Sequence, residues 1–295
     1  MARILKKEQN TFYLEGFSEL VPVTLTPNIS KEQLLAFPAF KIWKSTLQEN
    51  LVLQDQQENH TFRGAPFSLK SITIQSVDWF GPTRIGFVKL VAKITNEEGK
   101  ELPGIAFLRG GSVAILMILR PKDSRSERLV VMTEQPRIPA GSLCFREIPA
   151  GMLDDAKTFK GAAASEIEEE TGFRLPSSEL IDLTWLALKH SQIPEKNLQN
   201  AMYPSPGGSD EYIPIFLWEK ELDRQEIEDL RGKLTGKRMK GEMITLRVCD
   251  YEDLWREGAR DAKTLAAWAL YEGLNRAGII QEEIVNRRKA RRPSF

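Results

Sequence analysis

The chain has 295 residues, in which 41 Lys and Arg are balanced by 41 Asp and Glu. That length allows one large domain or two modest ones. Zero formal net charge argues against a broad electrostatic footprint for duplex nucleic acid or an anionic membrane, while leaving room for a local basic pocket that takes a phosphorylated small molecule. Cys144 and Cys249 have neither metal spacing nor a disulfide framework, which suits a reducing compartment and two core thiols. No apolar run approaches the roughly 20 residues of a membrane span, and the first residues, Met-Ala-Arg-Ile-Leu-Lys-Lys-Glu, lack a secretory apolar segment. A cytoplasmic location is expected, with organellar targeting left open.

From about Ser30 to Asn50, Leu34, Leu35, Phe37, Phe40, Ile42 and Trp43 recur at helical spacing, with Pro38 expected to split the run. Gln54 to Pro66 is polar and reads as a loop. Period-2 patterns at Ser71–Val77 and Ile85–Ile94 predict two strands joined through Gly81-Pro82, and Asn96-Glu-Glu-Gly99 supplies another turn. A small, mainly β amino-terminal domain is therefore expected over residues 1–106. Beyond it, strands are expected at Val113–Leu119, Leu129–Thr133 and Cys144–Ile148, and a helix at Thr158–Thr171. Further strands at Ile181–Leu186, Tyr212–Trp218 and Met243–Val248 precede a closing helix at Asp261–Asn275. A mixed sheet with helices on its faces makes an α/β sandwich over residues 107–280. Lys189–Tyr203 is longer than a typical connection and reads either as a pocket wall or as a surface loop, and residues 281–295 read as a basic flexible tail.

The densest chemistry lies between Gly151 and Phe173. Four glutamates, Glu166, Glu168, Glu169 and Glu170, fall near the end of one predicted helix. Around that helix Glu170 stands roughly 40° to one side of Glu166 and Glu169 roughly 60° to the other, whereas Glu168 points away. Like charges so placed repel, and a hard divalent cation such as Mg²⁺ or Mn²⁺ relieves the repulsion while sharing its remaining positions with substrate phosphates. A solvated acidic face explains the run equally well until the flanking glycines are counted: Gly151 opens the loop before the helix, and Gly172 sits where a left-handed cap belongs.

This segment resembles the Nudix box, G-x5-E-x7-R-E-U-x-E-E-x-G-U, with Gly151, Glu166, Ile167, Glu169, Glu170, Gly172 and Phe173 in register. Lys157 replaces the first glutamate of the pattern, and Ser165 replaces the arginine that braces the helix carboxylates. Phe145-Arg-Glu-Ile-Pro-Ala-Gly151 and Ser205-Pro-Gly-Gly-Ser-Asp-Glu211 are similar to the E-x-P-A-G and S-P-G-x-x-x-E elements of the ADP-sugar diphosphatase branch. Further matches to plant-type ADP-glucose pyrophosphatases run through Gln75–Phe80, Arg84–Phe87, Gly110–Leu119, Gly236–Glu242 and Asp261–Leu265, so the resemblance spans most of the chain.

The resemblance implies a Nudix α/β/α sandwich behind the amino-terminal domain, and a metal-dependent enzyme that cuts ADP-glucose or ADP-ribose into AMP and a sugar phosphate. It implies metal ligation by Glu166, Glu169, Glu170 and the Ala150 carbonyl, with Glu169 also polarising water. Glu242 is the implied general base, with Glu211 competing for the role. Arg137 suits the diphosphate because a guanidinium grips two oxygens at once. Gly207 and Gly208 let backbone amides approach the substrate, and Trp79, Phe80 and Arg84 are the residues implied for the nucleobase. A homodimer is implied, with no nucleic acid and no membrane partner. UDP-sugars or inositol pyrophosphates are the alternative substrates, and a weakened Nudix-fold module that binds a nucleotide sugar is the alternative of another class, motivated by Lys157 and Ser165.

Overall fold

The computed structural model describes residues 10–153, 158–174, 176–189, 191, 197–236 and 243–290. Contacts divide the chain into two compact units: one runs to Gly111 and takes in Ser205–Glu211, and the other begins at Ser112 and resumes at Tyr212.

In the first unit a short antiparallel pair, β1 (Thr11–Leu14) and β2 (Val21–Thr24), precedes two helices. Ser30 starts α1 (Lys31–Ala36) through a capping box, its hydroxyl accepting the Gln33 N–H while Gln33 Oε1 accepts the Ser30 N–H. Pro38 ends that helix and opens α2 (Pro38–Gln56), because a first-turn proline forfeits no helical hydrogen bond. The long strands β3 (Ser68–Phe80) and β4 (Arg84–Thr95) then pair antiparallel, and β5 (Glu101–Leu102) and β6 (Ile105–Leu108) both add to β4. Strand order is β1-β2-β3-β4-β5, with β6 beside β4. Register shifts after Leu69, Ile74 and Asp78 explain why the inward residues Leu69, Ile72, Ile74 and Val77 depart from strict alternation. These side chains share a core with Leu34, Phe40, Val88 and Leu90.

The second unit is built on β7 (Ser112–Pro121), whose residues from Val113 to Leu119 are wholly buried. Strands β8 (Leu129–Arg137), β9 (Ser142–Glu147) and β10 (Ala150–Met152) lead to α3 (Phe159–Thr171). After β11 (Ile181–Asp182), α4 (Leu183–Leu188), β12 (Ile215–Leu222), α5 (Arg224–Glu228), β13 (Leu234–Thr235) and β14 (Ile244–Asp250), three helices close the unit: α6 (Leu254–Glu257), α7 (Ala262–Arg276) and α8 (Ile279–Ala290). The sheet runs β11-β12-β7-β8-β14-β13, with β10 on β7 and β9 on β8. It is mixed, because β12 lies parallel to β7 while β8 and β10 lie antiparallel to it. Val113, Ile115, Met117 and Leu119 face α3, whereas Ala114, Leu116 and Ile118 face α4, α7 and α8. One strand thus supplies both cores of a three-layer α/β/α sandwich.

Three elements differ from expectation. Ile181–Leu186 is a two-residue strand followed by a helix, because Asp182 accepts the Trp185 N–H and caps α4, whose Leu183 and Leu186 are buried together at helical spacing. The strand expected at Tyr212–Trp218 starts at Ile215 and continues to Leu222, following β7. From residue 281 the chain remains helical to Ala290, where Arg287 pairs with Glu283 and donates to the carbonyls of Ser178 and Leu180.

Candidate active site

Strands β7 and β8 pair only at Ile118–Val130 and Leu119–Leu129. Further along they separate, β8 taking β9 as its neighbour and β7 taking β10. The segment Glu147–Ala150 therefore crosses the split from one strand to the other, fixed by a 3.0 Å bond from the Ile115 N–H to the Pro149 carbonyl. Such a split lets a loop and a helix end reach the edge of the sheet without leaving buried backbone groups unpaired.

Thr158 caps α3 by accepting the Gly161 N–H, and Gly172 ends it at φ +81°, donating its N–H to Glu168. Ala162, Ala163 and Ile167 bury the opposite face against the sheet, which fixes the direction of the glutamates. Glu170 is only 6% exposed, and its Oε2 accepts the Ala150 N–H at 3.1 Å. The structure thus joins the helix carboxylate to the residue before the Gly151 loop. Glu169 lies exposed, and Glu168 points to solvent beside Arg174, 2.6 Å away. Ser165 donates to the Gly161 carbonyl at 3.1 Å, so a brace position in the motif is occupied by a bond within the helix. Lys157 and Glu242 lie outside the described residues, as does the Glu166 side chain.

Arg137, at the end of β8, donates through Nε to Glu147 Oε1 at 2.6 Å. Glu147 is 2% exposed and also pairs with Lys263, which in turn meets Asp261 at the start of α7. This cluster was not legible in the sequence. Glu147 could have been singled out as the glutamate of the E-x-P-A-G element, and Lys263 as a cation in a helical first turn, where the dipole disfavours it.

The other expected substrate residues belong to the first unit. Trp79 and Phe80 end β3 opposite Ile85 and Arg84, across a turn at Gly81 with φ +74°. Phe80 packs edge-on to Phe87, and Phe87 against Phe107, with centroids 5.0 Å apart in each pair. Gly86 makes this possible, since a Cβ there would lie 2.5 Å from the Phe80 ring. Gly207 and Gly208 form a turn whose Gly208 carbonyl accepts the Phe107 N–H at 2.8 Å. Asp210 accepts the N–H groups of Arg109 and Gly110, and burial pushes its carboxyl above the ordinary value. Glu211 pairs with Arg109 Nη1 at 3.0 Å.

The NUDIX domain family matches residues 108–268, more than half of the chain. The chain belongs to the Nudix family. Over 241 residues it is 39% identical to the Arabidopsis thaliana protein named Nudix hydrolase 14, chloroplastic, spanning 81% of this chain and 74% of that one. Shorter matches reach the ADP-ribose pyrophosphatase of Saccharomyces cerevisiae, 32% identical over 38% of this chain and 51% of that one. The ADP-sugar pyrophosphatase of Mus musculus is 28% identical over 36% and 43%. The split sheet and α3 are accordingly the Nudix fold and its box. Among the described residues no three His, Cys, Asp or Glu side chains form a metal cluster, and one of the box's expected donors, the Glu166 side chain, stands outside that set. The donor chemistry nevertheless fits the divalent ions that Nudix hydrolases use. The carboxylates are hard oxygen donors, and they crowd the last turn of α3, where the dipole disfavours anions and no basic residue intervenes.

Proposed function

We propose that this Nudix protein hydrolyses the diphosphate bond of an ADP-sugar, ADP-glucose or ADP-ribose, to AMP and a sugar phosphate. The observation that carries the reading is Glu170, buried at the split of the sheet and closed onto Ala150 beside the Gly151 loop. The relatives named as ADP-ribose and ADP-sugar pyrophosphatases support the substrate class. Glu166, Glu169, Glu170 and the Ala150 carbonyl would hold Mg²⁺ or Mn²⁺. When bound, that ion supplies charge neutralisation on the diphosphate and acidifies the attacking water. Arg137 grips the diphosphate oxygens. Glu242 takes the proton from water, a role for which Glu211 is less suited, since its carboxylate is already engaged by Arg109 at 3.0 Å. Trp79, Phe80 and Arg84 take the base, and Gly207 and Gly208 offer backbone amides.

Ser165 is the observation that favours a second reading, a binding module with weak turnover, because its hydroxyl donates to the Gly161 carbonyl within α3 and it lacks the positive charge an arginine would bring to the helix carboxylates. Incubation with ADP-glucose, ADP-ribose, UDP-glucose and a diphosphoinositol polyphosphate, with Mg²⁺, Mn²⁺ or chelator, separates the readings. AMP released from an ADP-sugar only with metal is expected, and Glu170→Gln should slow it by at least about 100-fold. Binding without turnover across the panel would leave the module. A homodimer in the cytoplasm or a plastid completes the proposal. No helix among the described residues is long and apolar enough to cross a membrane.

A further inference from the structure

Four charged side chains form a chain at the start of α7. Lys263 occupies Oε2 of the buried Glu147, while Arg137 meets Oε1 at 2.6 Å through Nε. Lys263 also reaches Asp261 Oδ1 at 3.0 Å. The other Asp261 oxygen accepts the Thr264 N–H at 3.1 Å and its hydroxyl at 2.5 Å. Thr264 in turn accepts the Ile148 N–H at 3.1 Å, so the helix start grips the segment that crosses the split.

An arginine facing a lone carboxylate ordinarily closes a two-pronged pair, which engages two guanidinium nitrogens. Here the other oxygen of that carboxylate already accepts from Lys263, which competes with the second guanidinium nitrogen for it. Among the described residues Arg137 has Glu147 as its partner through Nε alone, and its side chain remains 41% exposed. A lysine at a helix start is misplaced for the dipole, and only the full set of partners offsets its burial. Its position makes sense if its effect falls on Arg137.

We propose that Lys263 is a positioning residue: by occupying one oxygen of Glu147, it restricts Arg137 to a single bond and keeps the terminal guanidinium nitrogens presented to the substrate's diphosphate. This rests on the diphosphatase reading for the ligand, though not for the geometry. Asp261, held by Thr264, balances the lysine and fixes it against Glu147.

The test combines Arg137 side-chain NMR signals of the ligand-free protein with binding of adenosine 5′-(α,β-methylene)diphosphate. Lys263→Met should let Arg137 close a two-pronged pair with Glu147, so that its terminal N–H signals become protected from exchange. The same variant should bind the methylene analogue about tenfold more weakly, as should Arg137→Lys, with no further loss in the double variant. Mn²⁺ affinity, read by paramagnetic resonance, should not change, whereas general loosening of the site would lower it. If Lys263→Met does not fold, Glu147→Leu with Lys263→Met replaces the ion pair by apolar contact. That variant should also lose about tenfold in analogue affinity, because Arg137 has lost its anchor. Unaltered Arg137 signals in Lys263→Met, undiminished analogue affinity in the variant that folds, or additive losses in the double variant would overturn the proposal. If the wild-type protein neither binds the analogue nor cleaves ADP-sugars, the diphosphatase reading fails, while the ligand-free signals still decide whether Lys263 positions Arg137.

Discussion

Two thiols in one chain differ in reactivity when only one is shielded. Cys249 on β14 packs against Met132, and burial pushes its thiol up to about 12. Cys144 on β9 is exposed. The thiolate is the attacking species, so at pH 8 only about one Cys249 in 10⁴ is reactive in the folded protein. The sign is that of an acid whose ionised form is disfavoured by folding. The neutral thiol stabilises the fold below its ordinary range near 9.0, and that contribution is lost as pH rises towards 12. A thiol-directed chromogenic reagent at pH 8 should therefore label one site quickly, and Cys144→Ser should remove that signal. Fast labelling in Cys144→Ser would show that Cys249 is accessible. The expectation of two core thiols holds only for Cys249, since Cys144 lies where β9 is exposed on both faces, beside the exposed Leu143. The box glutamates were legible because their spacing alone fixes their directions around a helix. Glu147 and Lys263 were not, because the partners that neutralise them lie 116 residues apart.

At the scale of elements, two glycines are required for different physical reasons. Gly172 adopts φ +81°, and a Cβ there would meet nothing closer than the flexible end of Lys233 at 3.4 Å. Gly172→Ala should cost about 1 kcal/mol, all of it conformational, by straining the end of α3. Gly104 has no such backbone restriction, but its Cβ would lie 1.8 Å from the Ala92 carbonyl oxygen, on the neighbouring strand β4. Gly104→Ala must push backbone apart and should cost about 1–3 kcal/mol or more. Urea unfolding of both variants checks the order, and a Gly104→Ala midpoint at or above the Gly172→Ala midpoint would contradict it. Elements were legible where one signal dominated, as at Pro38 between α1 and α2 or along the alternating β3 and β4. They were obscured where two patterns coincide: Ile181-Asp-Leu-Thr-Trp-Leu186 alternates like a strand, yet its Asp182 cap selects a helix. Strands β1 and β2, four residues each, are too short to show a period and are defined by their pairing.

At the scale of the molecule, the architecture of the second unit rests on one strand with two faces. A continuous apolar run such as Val113–Leu119 reads as a buried strand, but the sequence does not say what lies on either side. The partition follows from the partners: Ile115 belongs with α3, whereas Ile118 belongs with α4, α7 and α8. Each loses one methyl on change to valine, which should cost about 0.5–1.5 kcal/mol through lost burial and a small cavity. Because the sheet separates the two sites, Ile115→Val and Ile118→Val should add to within about 0.5 kcal/mol in the double variant. Ile115→Val with Met117→Leu tests the same face, where neighbouring side chains share a core and repack together, so departures from additivity belong there. Denaturant unfolding of the set measures this directly. Coupling well beyond 0.5 kcal/mol between Ile115 and Ile118, with none between Ile115 and Met117, would mean that the two faces of β7 share one core, which a three-layer sandwich does not allow.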